Sequence, residues 1–226
     1  MHIEPGVVEG AKIYLSYATA AAALGLAAAM ARQSARDNGG FTPLVLRSIM
    51  TTVLVFCFFE LLPHHAVGVS EVHLILGSTL LLLFGAGATA VGLALGLLIQ
   101  GLFFAPFDLP QYGMNVTTLL VPLWAISIVA KRIIPEQTPY VDTRYTQALM
   151  LSTTYQGGIV AWVAFWALYG HGFSTDNVAS VGSFGLAYMS VVLVEPLIDL
   201  GVLYLAKTFS RVSRGPLFNV RLHHPA

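Results

Sequence analysis

The sequence predicts an all-α, polytopic integral membrane protein of about seven transmembrane helices, N-terminus outside and C-terminus cytoplasmic. Three observations carry this. Only 10% of the 226 residues are charged and 56% are hydrophobic, with a mean hydropathy of +0.75, whereas a soluble domain is about 25% charged. Apolar segments of roughly 20 residues, the length a helix needs to cross a bilayer, recur along the chain. Finally, the basic residues sort onto one side of the bilayer once the segments are threaded through it.

The first segment, residues 11–32, is unusually small-sided, with Ala20-Ala21-Ala22-Ala23, Gly25 and Ala27-Ala28-Ala29. Small residues let helices approach closely, within the bundle or against a partner subunit. Ala27–Ala31 superficially resembles a signal-peptide cleavage site, but such a peptide begins with a basic region. Here Glu4 and Glu9 precede it, and Lys12 is the one nearby cation. The segment is therefore expected to insert with its N-terminus outside and to be retained. The second segment, 43–62, contains the lone Cys57 and closes near Glu60. The third and fourth, 72–84 and 86–105, meet at Gly85-Ala86-Gly87 and read as a broken hairpin or a re-entrant pair, since non-helical backbone is tolerated where protein or water buries it. Residues 114–132 and 145–170 are continuous apolar runs. The last segment, 180–207, carries Glu195 and Asp199 four residues apart on one helix face, with Pro196 between them.

With seven spans and the N-terminus outside, the inner side collects Arg32, Arg36, Arg47, Lys131, Arg132, Arg144, Lys207, Arg211, Arg214 and Arg221, leaving only Lys12 of the 11 Lys and Arg outside. This is the positive-inside pattern, and an even number of spans breaks it. The outer side collects His2, Glu4, Glu9, His64, His65, Glu71, His73, Asp108, His171 and Asp176, a distribution suited to a cation arriving from outside. Net charge is zero, so there is no basic footprint for nucleic acid. A single Cys excludes an intramolecular disulfide and a cysteine-cluster metal site. There is no His-Glu-x-x-His, Gly-x-Ser-x-Gly or Walker A pattern, so no enzyme is indicated and any ATP hydrolysis belongs to partners. The organisation expected is one transmembrane domain, 1–226, with a distinct N-terminal segment, 1–10, whose metal-chelating chemistry and uptake role are argued from the residues that follow, and a cytoplasmic tail, 210–226.

The chemistry centres on Met1-His2. Removal of the initiator methionine generally needs a small second residue, so His2 keeps Met1 in place. The Met1 amine, the His2 backbone nitrogen and the His2 imidazole then form two fused chelate rings. Their protons leave on binding. His73, in a polar stretch between two apolar runs, supplies a fourth nitrogen. A planar four-nitrogen set favours Ni(II) or Cu(II), with low-spin Co(II) accessible, whereas Zn prefers a tetrahedron. The competing reading is a chance second residue and a solvated loop histidine.

Four segments resemble one family. Met1-His2-Ile3-Glu4-Pro5-Gly6 is similar to Met-His-Ile-x-x-Gly, and Ser70-Glu71-Val72-His73-Leu74 to Gly-Thr-Ser-Ser-His-Leu. Leu97-Leu98-Ile99-Gln100-Gly101-Leu102-Phe103-Phe104 resembles Leu-Leu-Ile-Gln-Ala-Leu-Leu-Phe, and Tyr112-Gly113-Met114-Asn115-Val116 resembles Leu-Gly-Ala-Asn-Val. In this order they are the pattern of the CbiM/NikM family, the substrate-binding membrane subunits of energy-coupling-factor transporters for cobalt and nickel. The match covers roughly the first half of the chain; the second half agrees only in hydropathy. The resemblance implies that Met1, His2 and His73 bind the metal, with Gln100 and Asn115 hydrogen-bonding the N-terminal segment into place. Polar contact between helices is the other role open to those two amides. It further implies Co2+ or Ni2+ as transported substrate, no organic cofactor, a transmembrane coupling subunit and cytoplasmic ATPases as partners, and a multi-pass place in the bacterial inner membrane.

The departures are Ser70-Glu71-Val72 before the histidine, Glu4-Pro5, and the extra imidazoles of His64-His65. Glu60, His64, His65 and Glu71 are candidates for an access path, or interfacial groups in water. Glu195 and Asp199 are candidates for an ion path, relaying protons or meeting a cation in a buried pocket, because carboxylates inside a membrane are expensive; pairing with a basic residue near the inner end, or contact with a partner, competes. His223-His224 are expected on a short, disordered tail where they could accept released metal. The function expected is metal uptake by a substrate-binding subunit. The alternatives are a solitary permease or channel without ATPases, whose ion path would run past Glu195 and Asp199, and a membrane metal sensor or metalloenzyme that moves no metal.

Overall fold

The computed structural model describes residues 3–225. Its helices are α1 (Ile13–Asp37), α2 (Phe41–Glu60), α3 (Gly77–Phe84), α4 (Ala86–Phe103), α5 (Tyr112–Ile133), α6 (Tyr145–His171), α7 (Thr175–Met189), α8 (Val191–Thr208) and the short α9 (Ser210–Ser213). A hairpin of β1 (His65–Val67) and β2 (Ser70–Val72) interrupts them. Six helical runs among the described residues are long and apolar enough to cross a membrane: Gly10–Asp37, Phe41–Glu60, Ala86–Phe103, Pro106–Ile133, Tyr145–His171 and Thr175–Thr208. The expected polytopic all-α membrane protein is therefore observed.

Close helix packing comes from small side chains. Along α1 the buried positions Ser16, Ala20, Ala23, Ala27, Met30 and Ser34 recur every three or four residues, forming one face. That face meets glycines: a Cβ on Gly87 of α4 would stand 2.6 Å from Ser34 Oγ, and one on Gly113 of α5 would stand 2.8 Å from the Ser16 carbonyl. This row of small residues therefore packs inside the chain, while Ala21, Ala22, Gly25, Ala28 and Ala29 remain on its outer side. Between α2 and α4, Thr51 Oγ1 donates to the Ala88 carbonyl at 2.7 Å.

The third apolar segment is broken, and its helix is shorter than the apolar run of 72–84. Residues 72–84 do not form one helix; regular helix starts only at Gly77 and runs eight residues, about 12 Å. The preceding residues 73–76 are irregular, and Leu76 sits in the left-handed region at φ 56. Every residue of α3 is buried, its run from Leu80 to Phe84 wholly apolar and its Ser78 and Thr79 hydroxyls hydrogen-bonded. Gly85 then breaks the run at φ 84, a conformation that glycine adopts without penalty. His73 lies beside Phe59 near the end of α2, whereas Gly85 lines a pocket with Asp37, Asn38 and Lys131. The broken segment thus joins opposite ends of the bundle.

The tail corrects the sequence reading. Instead of a disordered end, residues 218–224 are tied to the bundle. Asn219 N–H donates to the Leu83 carbonyl at 2.7 Å, one of the acceptors that the end of α3 leaves unpaired. Phe218 stacks on Phe84 at 5.6 Å. Arg221 donates to the carbonyls of Ile134 and Pro135 at 2.8 and 2.9 Å and lies 4.7 Å over the Tyr140 ring. His223 Nε2 is 2.6 Å from Ser213 Oγ. Burial first, then Arg214 and His224, holds the His223 imidazole below its usual pKa.

Candidate metal site at the N-terminal end

The N-terminal segment is a strap laid across one end of the bundle. Ile3, Val7 and Val8 are buried, which anchors a stretch that carries little other apolar surface. Lys12 Nζ donates to the carbonyls of Tyr169 and Gly170 at 3.0 and 2.9 Å, filling acceptors that the end of α6 leaves open. His171 Nε2 is 3.0 Å from the Gly6 carbonyl.

The other end of the strap is fixed by backbone pairing. Ile3 forms an antiparallel bridge with Ser70 of β2, and Glu4 N–H points at the Val69 carbonyl at 3.4 Å. Ile3 N–H donates to Asn115 Oδ1 at 3.0 Å. Asn115 is 1% exposed, so this acceptor is held in the first turns of α5 rather than in solvent. The Asn115 side chain thus accepts a hydrogen bond from the backbone of the N-terminal segment. Gln100 is buried in α4.

His73 is 2% exposed. Its Nε2 lies 2.9 Å from Glu71 Oε2. The His64 ring stacks on it at 4.9 Å and the Phe59 ring meets it edge-on at 5.4 Å. Three groups read as access-path candidates thus divide: Glu71 grips the histidine, His64 covers it, and exposed His65 pairs with Val72 in the hairpin. Glu60 closes α2 and is partly buried. Among the described residues no three His, Cys, Asp or Glu side chains gather as a metal set. Met1 and His2 lie outside the described residues.

Glu195 and Asp199 are elsewhere. They face α3 and α6 from α8, with Ser78 and Thr79 hydroxyls donating to Asp199 and with Ser152 and Gln156 donating to Glu195. Sequence reasoning missed this seam. Its signal is present: Ser78-Thr79 interrupts an apolar run, and Ser152 and Gln156 repeat at four residues inside the sixth segment.

A buried strap pinned beside a buried histidine, on a scaffold of membrane-crossing helices, defines a multi-pass membrane protein organised around its N-terminal end. The chain belongs to the CbiM family: the family model for the cobalt uptake substrate-specific transmembrane region matches residues 2–212. It is accordingly a cobalt-uptake component of a transporter. No curated protein and no solved structure matches it.

Asn115 allows a direct test of how the strap is held. Asn115→Leu keeps the volume but leaves the Ile3 N–H buried without its acceptor, a loss of about 1–3 kcal/mol. Hydrogen exchange at residues 3–8 should accelerate at least about tenfold. Unchanged protection would show that the hairpin alone holds the strap.

Proposed function

We propose that this chain is the substrate-binding subunit of an energy-coupling-factor transporter and captures Co2+ or Ni2+ at the outer face of the bacterial inner membrane. The ligands are the Met1 amine, the His2 backbone nitrogen and imidazole, and the His73 imidazole. The observation that carries this reading is the Ile3–Ser70 bridge. That bridge pins Ile3 to the strand that leads through Glu71 and Val72 to His73. Two extended residues reach about 7 Å, and in this reading they carry the terminal chelate to the histidine. Ile3 N–H on Asn115 then keeps the approach fixed.

Glu71 positions the ligand. Its carboxylate on Nε2 orients the His73 ring and raises its basicity, so that Nδ1 is presented to the metal. The description of the matching family as cobalt uptake supports Co2+; the planar nitrogen set also accommodates Ni2+. Seven crossings, with residues 73–84 as the broken one, place Lys131, Arg132, Arg144, Lys207, Arg211, Arg214 and Arg221 on the inner side. Energy comes from cytoplasmic ATPases through a transmembrane coupling subunit. Reprotonation of the amine, amide and imidazoles weakens the site, so affinity falls with falling pH.

The test is Co2+ and Ni2+ binding to purified protein whose Met1 amine is free, compared with a form extended by one residue and with His2→Ala. We expect one metal per chain, lost in both altered forms. Full affinity in the extended form would remove the terminal amine from the site and with it the chelate.

A further inference from the structure

We propose that the seam between α3, α6 and α8 is a proton-binding site, in which the Glu195–Asp199 pair carries an exchangeable proton at neutral pH. This goes beyond metal capture and does not depend on it.

Both residues are 0% exposed and lie one turn apart on α8. Their hydrogen-bonding partners are neutral donors. Ser78 Oγ donates to Asp199 at 2.8 Å and Thr79 Oγ1 to the same carboxyl; Ser152 Oγ and Gln156 Nε2 donate to Glu195 Oε2 at 2.5 and 2.7 Å. From the packed elements, α3 contributes Ser78 and Thr79, and α6 contributes Ser152, Tyr155 and Gln156. α7 contributes Tyr188, fully buried like Tyr155. The cation farther along α8, Lys207, is bound to Asp142 at 2.5 Å. Among the described residues no Lys, Arg or His is hydrogen-bonded to either carboxyl.

Two ionised carboxylates buried in a membrane protein with only hydroxyl and amide donors are strongly disfavoured. The second ionisation is disfavoured again by the first, since the two titrate as a pair. A positive centre is therefore missing, and the geometry says where it goes. Three of the four carboxylate oxygens already accept hydrogen bonds, while Glu195 Oε1 and the neighbouring Gln156 Oε1 are buried with no donor among the described residues. One open carboxylate oxygen suits one proton. It becomes an O–H bond, the carboxylate becomes a neutral acid, and the proton leaves by the reverse step. A hard metal cation asks for about six or more oxygens, most of which are already engaged here.

The seam touches the same segment that carries His73. Ser78 and Thr79 form the first turn of α3, five and six residues after His73, with the left-handed Leu76 between.

The experiment is infrared spectroscopy of the full chain in lipid nanodiscs, with and without ¹³C-labelled aspartate and glutamate. We expect a protonated carboxylic-acid carbonyl band at pH 7 that shifts in D2O and with one of the labels. Glu195→Gln or Asp199→Asn should remove it, and Na+ at fixed pH should leave it unchanged. Isotope labelling reads the wild-type chain, so the outcome survives a variant that fails to fold. No acid band at pH 7, or a band indifferent to both substitutions, overturns the proposal. Bleaching by Na+ overturns it in favour of an alkali-cation site.

Discussion

His73→Gln is expected to abolish tight metal binding while leaving the bundle folded, and His73→Ala to do so at a visible cost in stability. The two variants separate ligation from packing. His73 is 2% exposed and sits between Phe59 and His64, so alanine leaves a cavity worth about 2–4 kcal/mol. Glutamine fills most of that space and its amide N–H₂ can still donate to Glu71. It offers no imidazole nitrogen, and a neutral amide oxygen is a poor ligand for a metal selected by nitrogen. Groups that only orient a ligand are typically worth 10–100-fold in metal affinity, so loss of a ligand itself should exceed about 100-fold for Co2+ and Ni2+. Calorimetry and thermal unfolding of both variants check this. Affinity within tenfold of wild type in His73→Gln, with an unchanged melting temperature, would make His73 a core histidine and move the site elsewhere.

The parts of this fold that were legible are those where one residue pattern dictates one outcome. Continuous apolar runs at 145–170 and 114–132 became α6 and α5 within about two residues of the expected limits, because in a bilayer the backbone must pair within its own segment. The break in the third segment was legible at Gly85, but its helix start was not, because hydrophobicity does not distinguish a spanning helix from a buried one. Leu80 to Phe84 look alike in either setting, and it is Gly77, Leu76 and the hairpin before them that set the helix start. The tail was misread for a related reason: Phe218, Asn219 and Arg221 acquire their anchors from Phe84, Leu83 and Ile134, which are distant in sequence. At the site, His73 and Asn115 were readable as residue types at given positions. The Ile3–Ser70 bridge was not, since a single isolated pairing has no periodicity. Likewise, Glu195 and Asp199 announced themselves as costly carboxylates, but nothing local in the sequence names Ser78, Thr79, Ser152 and Gln156 as their donors.

Gly170→Val should unseat the strap and take metal binding with it, although residue 170 touches no proposed ligand. A Cβ on Gly170 would overlap the Val7 carbonyl and stand 3.3 Å from Val8 Cγ2. The obstacle is backbone, which cannot step aside as a flexible side chain can. Valine at the end of α6 therefore forces one of two movements: the helix end retreats, or the strap lifts. The helix end is the stiffer, being the last turn of a 27-residue helix. The strap is held by Ile3, by the carbonyls that Lys12 caps and by the His171–Gly6 contact, two of which depend on the same surface. Lifting at Val7 also exposes Val7 and Val8, which are 5% and 1% exposed in place. Overpacking of this kind costs about 1–3 kcal/mol, or roughly 2–10 °C in melting temperature for a chain of this size. Because the proposed chelate is positioned only through the strap, affinity should fall at least about tenfold, with faster hydrogen exchange at residues 3–8. Gly201→Ala is the matched control: a Cβ there meets nothing within 4 Å, and alanine in a helix interior is favoured over glycine by roughly 1 kcal/mol. If Gly170→Val accelerated exchange at residues 3–8 and yet left affinity at the wild-type value, the strap would be dispensable for binding, and the N-terminal chelate would lose its structural support.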